Sequence, residues 1–231
     1  MKNMDVLHKI KGGLIVSCQA LETEPLYGSD MMAKMAVAVR DGGAVAIRSN
    51  SPQDIKAIKK AVSLPVIGLY KVEYPDSEVY ITPTMREIDT LIEAAPDIIA
   101  MDATNRLRPE SATLENFFYE VRKKYPDMLF MADCSCFEDA VKAEKLGFDV
   151  VGTTLCGYTE ETKHIVIPDY DLLHRMTREL NIPIIAEGGI WNTEQLKRVF
   201  EEEILAAVVG TAITRPREIT RHFISAIHKE Q

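Results

Sequence analysis

Short apolar runs alternate with longer amphipathic segments along almost the whole chain. Eight of these runs are rich in Val, Ile, Leu and Ala, a pattern typical of strands that are covered on both faces of a parallel sheet. In chain order they are Leu14–Cys18, Ala44–Ile47, Pro65–Tyr70, Asp97–Met101, Leu129–Ala132, Val150–Thr154, Pro183–Ala186 and Ala206–Val209. Eight strands that alternate with helical segments favour a closed (β/α)8 barrel, the TIM barrel, over an open doubly wound sheet.

The segments between the runs carry helix start signals. Capping residues or proline predict helix starts at Ser29 or Asp30, Ser51-Pro52, Thr84, Thr113, Ser135 or Cys136, Tyr170, Thr193 and Pro216. We also expect a short N-terminal helix at about residues 2–11. Since no linker-like segment interrupts the pattern, residues 1–231 are expected to form one domain. No GxGxxG motif follows the first strand, so a dinucleotide-binding fold has little support.

Composition narrows the class of partner. The chain has 231 residues, 46% of them hydrophobic, and a net charge of −8 with acids and bases interspersed. This balance argues against nucleic acid as a partner, since nucleic acid needs a basic face, but it leaves room for a small anionic ligand. There is no signal-like segment and no apolar run of membrane-spanning length, so we expect a cytoplasmic protein without membrane contact.

The cysteines and histidines predict neither disulfides nor a metal site. Cys18, Cys134, Cys136 and Cys156 show no zinc-binding or CxxC spacing, and they fall near strand ends. We interpret them as reduced cysteines. The five histidines are scattered and form no ligand pair, so no structural metal is expected.

Polar residues follow nearly every predicted strand. They are Gln19, Arg48, Lys71, Asp102 with Thr104 and Asn105, Asp133, Thr153 with Thr154, Glu187, and Thr211 with Arg215. One such residue most often caps or solvates a loop, but in a barrel the C-terminal strand ends converge on the active site. As a set, these residues predict a site at that end of the barrel.

The last quarter of the chain predicts an anion site beside a carboxylate. Glycines follow the seventh and eighth strands, and their backbone N–H groups can approach a phosphate closely. The phosphate-binding candidates are Gly188, Gly189, Gly210, Thr211 and Arg215. Glu187 directly precedes these glycines, where a carboxylate is costly unless chemistry needs it. We therefore predict a barrel of the phosphate-binding type.

Lys71 is the main candidate for catalysis. An ammonium group among apolar walls loses part of its proton affinity, and it can then act as a base, an acid or a Schiff-base amine. Glu187 is its natural partner, either orienting the amine or serving as a second acid/base. Arg48 and Asp133 can fix hydroxyl, carbonyl or amide groups of a substrate.

At these residues the chain resembles the N-acetylmannosamine-6-phosphate 2-epimerase family of bacterial sialic-acid catabolism. The segments that carry the resemblance include IVSCQALETEPLYG, AVAIRSN, PVIGLYKVEY, IIAEGGIWNTEQ and VVGTAITRP, and the resemblance extends from Gly12 to Ile227. It implies interconversion of N-acetylmannosamine 6-phosphate and N-acetylglucosamine 6-phosphate.

The resemblance also implies roles for individual residues. Its catalytic pair falls on Lys71 and Glu187, and its phosphate contacts fall in the region of Gly189, Gly210 and Arg215. Its sugar contacts fall on Gln19, Arg48 and Asp133, to which we add Thr153 as a substrate-binding candidate.

The implied chemistry agrees with the strand-end residues. Epimerisation at C2 of the opened sugar removes a proton next to the C1 aldehyde and gives an enolate. This needs a base, a group that stabilises the oxyanion, and delivery of a proton to the other face. No metal or organic cofactor is required, and the expected partner is a small phosphosugar.

Other interpretations stay open at this point. A pentose-phosphate epimerase or phosphoribosyl isomerase would also use such a barrel, but usually with His/Asp metal sets or paired aspartates. A non-catalytic sugar-phosphate sensor is the alternative outside enzymes. In the last helix, Ile219, Phe223, Ile224 and Ile227 form a stripe that we expect to face the core, and a homodimer built on this helix is the alternative.

Overall fold

The computed structural model describes residues 4–227, and eight parallel strands in them close into a barrel in chain order. The strands are β1 (Gly13–Cys18), β2 (Ala46–Asn50), β3 (Val66–Leu69), β4 (Ile98–Asp102), β5 (Leu129–Asp133), β6 (Val150–Gly152), β7 (Ile184–Glu187) and β8 (Ala206–Val209). Each strand pairs with its two sequence neighbours, and β1 pairs with β8. The predicted (β/α)8 barrel is therefore confirmed.

The helices surround this barrel. They are α1 (Asp5–Ile10), α2 (Ser29–Asp41), α3 (Pro52–Ala61), α4 (Met85–Ala94), α5 (Leu114–Lys124), α6 (Phe137–Leu146), α7 (Tyr170–Glu179), α8 (Thr193–Val199), α9 (Thr211–Thr214) and α10 (Pro216–Ser225). The predicted N-terminal helix corresponds to α1, while residues 2 and 3 lie outside the described part. The single turn α9 was not predicted, because it begins directly after Gly210, the one residue between β8 and this helix.

Local capping accounts for several of the predicted starts. Ser51 and Thr84 accept hydrogen bonds from the backbone N–H groups of Asp54 and Arg86. Glu87 completes a capping box at the start of α4 by accepting from the Thr84 backbone N–H. Helix starts were therefore predictable from short-range chemistry.

Strand ends differ from the prediction where polar residues continue the ladder. β2 was predicted as Ala44–Ile47 but extends to Asn50, with Arg48 aligned beside Ile67 of β3. β7 likewise continues to Glu187, which aligns with Val208. An apolar run cannot predict these ends, because the last strand residues are the polar ones that form the site.

The hydrophobic core has two layers. Alternate strand residues such as Ile15, Ile67 and Ile185 fill the inside of the barrel, and the intervening residues pack against the helices. Buried side chains of α1 join the inner layer. The inside of the barrel is therefore a packed core rather than a pore.

The C-terminal helix departs from the predicted core-facing stripe. None of the residues of α10 is buried, and Phe223 and Ile224 are 70% and 46% exposed. The neighbouring Ile227 is 76% exposed. The prediction that this stripe faces the core is wrong, because α10 lies on the outside of the barrel with its apolar side chains uncovered.

No helix within residues 4–227 combines the length and the hydropathy that a membrane span requires.

Candidate active site

A cleft of about 1190 Å³ opens where the carboxyl ends of the strands meet. Its lining includes ten residues that follow or end strands of the barrel and that bear on the predicted site: Gln19, Arg48, Lys71, Thr154, Glu187, Gly188, Gly189, Gly210, Thr211 and Arg215. All but Thr154 were given a catalytic, substrate-binding or phosphate-binding role from the sequence, whereas Thr154 was named only as a strand-end residue. The residues proposed for chemistry and those proposed for phosphate thus line one cleft.

The two-residue repeat of the strands explains which side chains enter the cleft. In β3, Ile67 and Leu69 belong to the inner layer of the core, and Lys71 follows two positions later. In β7, Glu187 follows the inner residue Ile185 in the same way. Because successive side chains point to opposite faces of a strand, each inner residue places the residue two positions on at the mouth.

Arg48 and Asp133 form a buried ion pair under the cleft. Arg48 Nη2 lies 2.7 Å from Asp133 Oδ2, and the two side chains are 1% and 0% exposed. Arg48 Nε also lies 3.2 Å from Glu187 Oε1. Burial by itself lowers the pKa of Arg48, but the carboxylates of Asp133 and Glu187 outweigh it and raise that pKa. The guanidinium therefore stays charged and fixes two acidic side chains from different strands.

Glu187 is held between charged neighbours and a hydroxyl. Its Oε2 lies 3.0 Å from Thr154 Oγ1, and its side chain is 14% exposed. Burial raises the pKa of Glu187, the charge of Arg48 opposes the rise, and the charge of Asp133 reinforces it. Such a carboxyl group can carry a proton closer to neutral pH than an exposed glutamate can.

Lys71 presents its amine to the cleft from the end of β3. Its backbone N–H donates to Asn50 Oδ1 at 2.8 Å, which fixes the position of the residue after the strand ends. Burial lowers the pKa of Lys71 to about 8, and the charges of Arg48 and Arg215 add to this effect. A substantial fraction of the amine is therefore unprotonated at mildly alkaline pH, as a general base requires.

Two buried polar atoms at the cleft have no hydrogen-bond partner among the residues that the structure describes. They are Gln19 Oε1 and Arg48 Nε. The other side of the Gln19 amide is satisfied, because its Nε2 donates to Ser17 Oγ at 2.8 Å. Buried polar groups are seldom left unpaired, so this acceptor and this donor are suited to contact a polar ligand.

The backbone conformation directly after β7 requires glycine at two positions. Gly188 and Gly189 have φ values of +111° and +70°, which side chains rarely adopt. A Cβ on Gly189 would also lie 2.6 Å from the carbonyl carbon of Ile167. This rim of the cleft is therefore lined by backbone rather than by side chains.

Arg215 lies at the same rim and has a partner that the sequence did not indicate. Its Nη2 donates to Glu24 Oε1, and the two side chains are 30% and 10% exposed. Glu24 lies in the loop between β1 and α2, 191 positions away along the chain. No local pattern could have related the two residues.

Two predicted substrate contacts do not line the cleft. Asp133 is fully buried beneath it and reaches it only through Arg48 and Thr154. Thr153 points away, because its hydroxyl exchanges hydrogen bonds of 2.8 and 3.0 Å with the Glu187 backbone. The next residue, Thr154, faces the cleft instead. Either threonine could have been chosen, because a strand that is covered on both faces has no polar alternation to show its inner side.

The polar residues predicted at the end of β4, Asp102, Thr104 and Asn105, make their contacts away from the cleft. Asp102 binds Arg106 at 2.6 Å and Thr104 at 2.8 Å, while Asn105 accepts from Lys142. These residues satisfy one another outside the cleft. Within residues 4–227, no group of three or more His, Cys, Asp or Glu side chains is arranged to hold a metal ion.

Comparison with known proteins gives one consistent family. Residues 32–229 match the family model described as "Putative N-acetylmannosamine-6-phosphate epimerase". The "Putative N-acetylmannosamine-6-phosphate 2-epimerase" from Caldanaerobacter subterraneus subsp. tengcongensis is 53% identical over 99% of this chain and 96% of its own length. The corresponding Listeria innocua protein is 48% identical over 97% of this chain and 98% of its own length.

A solved structure agrees with these sequence relatives. The N-acetylmannosamine-6-phosphate 2-epimerase from Clostridium perfringens is 45% identical, covers 95% of both chains and superposes with a TM-score of 0.91. The match therefore includes the barrel and its loops as well as the sequence. This chain belongs to the N-acetylmannosamine-6-phosphate 2-epimerase family.

Proposed function

We propose that this protein interconverts N-acetylmannosamine 6-phosphate and N-acetylglucosamine 6-phosphate, the reaction of an N-acylglucosamine-6-phosphate 2-epimerase in amino-sugar catabolism. The observation that carries the proposal is the pair Lys71 and Glu187, which line one cleft from β3 and β7. Lys71 is the one lysine among the described lining residues, and burial lowers the pKa of its amine to about 8. Family membership supplies the substrate class.

In this proposal the reaction begins with the opened sugar, whose C1 aldehyde acidifies the proton on C2. The neutral amine of Lys71 removes that proton, and the C2–H electron pair becomes an enolate with its charge on the C1 oxygen. The guanidinium of Arg48, whose Nε makes no hydrogen bond among the described residues, is suited to stabilise this oxyanion. The protonated carboxyl of Glu187 then delivers a proton to the other face of C2.

Binding of the 6-phosphate orients C2 between these groups. We assign this role to the backbone of Gly188, Gly189 and Gly210, with Thr211 and Arg215. These residues line the cleft beside Glu187. Phosphate binding at the far end of the sugar supplies orientation at the reacting carbon, because remote contacts can be used to position the substrate.

The experiment that tests this function measures conversion of purified protein with each N-acetylhexosamine 6-phosphate, with and without a chelator, by NMR of the sugar. We expect conversion in both directions without added metal or cofactor. Unphosphorylated N-acetylmannosamine should react poorly. If the chelator abolished activity and a divalent metal restored it, the cofactor-free mechanism would be wrong.

Arg215→Ala tests the phosphate end in the same assay. Removing one charge-assisted contact should lower kcat/KM for the phosphosugar by about 10- to 100-fold, mainly through KM. The already weak reaction of the free sugar should change little. Arg217→Ala is the matched control, since Arg217 is a neighbouring arginine that does not line the cleft. Equal losses with both sugars would contradict a phosphate role for Arg215.

We further propose a homodimer formed through α10. Phe223, Ile224 and Ile227 expose a run of large apolar side chains, and Trp191 stacks on His222 beside them at 4.7 Å between ring centroids. Such a patch is costly in water, and a second copy related by two-fold symmetry would cover it with the same residues.

Light scattering tests the dimer. The wild-type protein should have twice the mass of the chain, and Phe223→Glu should shift it toward the monomer. Tyr119→Glu changes a 65% exposed aromatic side chain on α5 and should leave the dimer intact. A monomeric wild-type protein would exclude this assembly.

The remaining partner and location proposals rest on composition. We propose a cytoplasmic protein, since Cys18, Cys134 and Cys156 are buried and unpaired, as is usual in reducing compartments. The net charge of −8 supports a small phosphosugar rather than nucleic acid as the partner.

A further inference from the structure

Arg215 lies between the cleft and a smaller hollow next to it. The hollow has a volume of about 160 Å³, and Arg215 lines both spaces. Glu24 lines only the hollow, and its Oε1 accepts a hydrogen bond from Arg215 Nη2. The carboxylate therefore holds the guanidinium from outside the cleft and leaves free the space that we assign to the phosphate.

Backbone hydrogen bonds fix the two residues on either side of this contact. The Glu24 N–H donates to the Leu21 carbonyl at 2.8 Å, and the Glu24 carbonyl accepts from the Tyr27 N–H at 3.0 Å. On the other side, the Arg215 N–H donates to the Thr211 carbonyl at 3.3 Å. Since each backbone has a support of its own, shortening the Glu24 side chain should release the Arg215 side chain without displacing either loop.

The guanidinium of Arg215 has donors left for a ligand. Its Nη2 binds Glu24, while its Nε and Nη1 make no hydrogen bond within residues 4–227. A guanidinium can bind a phosphate through two parallel N–H groups. An arginine side chain that is already held does not lose its conformational freedom when the ligand arrives, so this cost of binding is avoided.

Glu24 should keep its contact with Arg215 when the phosphate binds. Its side chain is 10% exposed, and a buried carboxylate that loses its partner is costly. A second arginine, Arg217, has its Nη2 4.0 Å from Glu24 Oε1, but its Nε donates to Glu218 at 2.7 Å. Arg215 is therefore the main partner of Glu24, and the two side chains form one unit at the rim of the cleft.

We infer that Glu24 is a positioning residue that holds Arg215 with its free N–H groups available to the 6-phosphate of the substrate. The inference rests on the phosphate role proposed above for Arg215. It extends the recognition of the phosphate to the loop between β1 and α2, although Glu24 itself contacts no part of the substrate.

Binding measurements in the Lys71→Ala protein test the inference, since no conversion disturbs the titration there. The dissociation constant of N-acetylmannosamine 6-phosphate is measured by calorimetry. Adding Glu24→Ala should raise this constant by about three- to tenfold, the cost of fixing one long side chain on binding. Adding Glu24→Gln, which keeps an acceptor oxygen for Arg215, should leave the constant within about twofold of its starting value.

Further variants separate positioning from a general structural effect. Glu24→Ala should have no effect when Arg215→Ala is also present, because the two residues act through one contact. With Lys71 intact, Glu24→Ala should raise KM for the phosphosugar and leave kcat nearly unchanged. Glu179→Ala removes the glutamate of another ion pair, 3.2 Å from Arg175 on α7, and should change neither quantity. Glu24→Ser is the alternative if the alanine variant does not fold, with the same expected result.

Several results would overturn the inference. Tighter binding in Glu24→Ala would mean that Glu24 competes with the phosphate for Arg215. An equal loss in Glu24→Ala and Glu24→Gln would assign the effect to the charge of Glu24, and a loss that remains alongside Arg215→Ala would assign it to the loop. The binding constants do not depend on turnover, so these results are distinct from a failure of the proposed function, which would appear as absent conversion in the wild type.

Discussion

Lys71→Ala should reduce epimerisation by about two to four orders of magnitude, the loss typical of removing a general base. No other lysine or histidine lines the described part of the cleft, so no neighbouring side chain can replace the amine at β3. Folding should survive, because Lys71 is not part of either layer of the hydrophobic core. Conversion rates at several pH values, together with a thermal unfolding curve, measure both effects.

The pH dependence of the wild-type reaction provides a second test of Lys71 as the general base. In the free enzyme Lys71 must be unprotonated to act as the base, and its pKa is lowered to about 8. The value of kcat/KM should therefore increase as pH rises through about 8 and decrease below it. Lys56→Ala removes an exposed lysine of α3 and should leave this profile unchanged. A folded Lys71→Ala protein with near wild-type conversion would refute the assignment.

Glu187→Gln should separate proton exchange from epimerisation. The amide keeps the shape of the side chain but cannot deliver a proton, so conversion should fall by about two to four orders of magnitude. Lys71 can still remove and return the C2 proton on its own face. In heavy water, one epimer should therefore incorporate deuterium at C2 without forming the other, which NMR of the recovered sugar measures.

The competing role for Glu187 gives a different result. If Glu187 only orients Lys71, exchange and conversion should decrease together in both epimers. Glu201→Gln is the matched control, since it makes the same change in an exposed residue after α8. The ratio of exchange to conversion thus decides between a second acid and an orienting group, whatever the absolute loss of rate.

Removing Glu187 also changes its neighbours in the buried network. Arg48 lies near two carboxyl groups, and without Glu187 its charge is balanced by Asp133 alone. Effects of Glu187 and Thr154 variants are therefore not expected to add, because both residues belong to one set of contacts. A double variant should show less than the summed loss.

Much of the architecture followed from short-range patterns. Eight apolar runs gave the number and order of strands, and capping residues such as Ser51 and Thr84 gave the helix starts. The glycines at positions 188 and 189 predicted a rim formed by closely approaching backbone, and both have positive φ values. These features depend on backbone preferences and hydrogen bonds within a few residues, which the local sequence contains.

The pattern of the sequence also determined most of the candidate site. The polar residues after the strands converge because parallel strands bring their carboxyl ends to one end of the barrel. Lys71, Glu187 and Arg48 were found by this rule alone.

Only the tertiary structure decided the rest. It showed that Arg48 and Asp133, 85 positions apart, form a buried pair, and that Arg215 is paired with Glu24. It placed Thr154 rather than Thr153 in the cleft and left the apolar face of α10 uncovered. The closure of the barrel decides which face of a doubly covered strand points inward and how far an amine is removed from water. Contacts between distant strands leave no signal in a local run of residues, so the sequence pattern could not predict them.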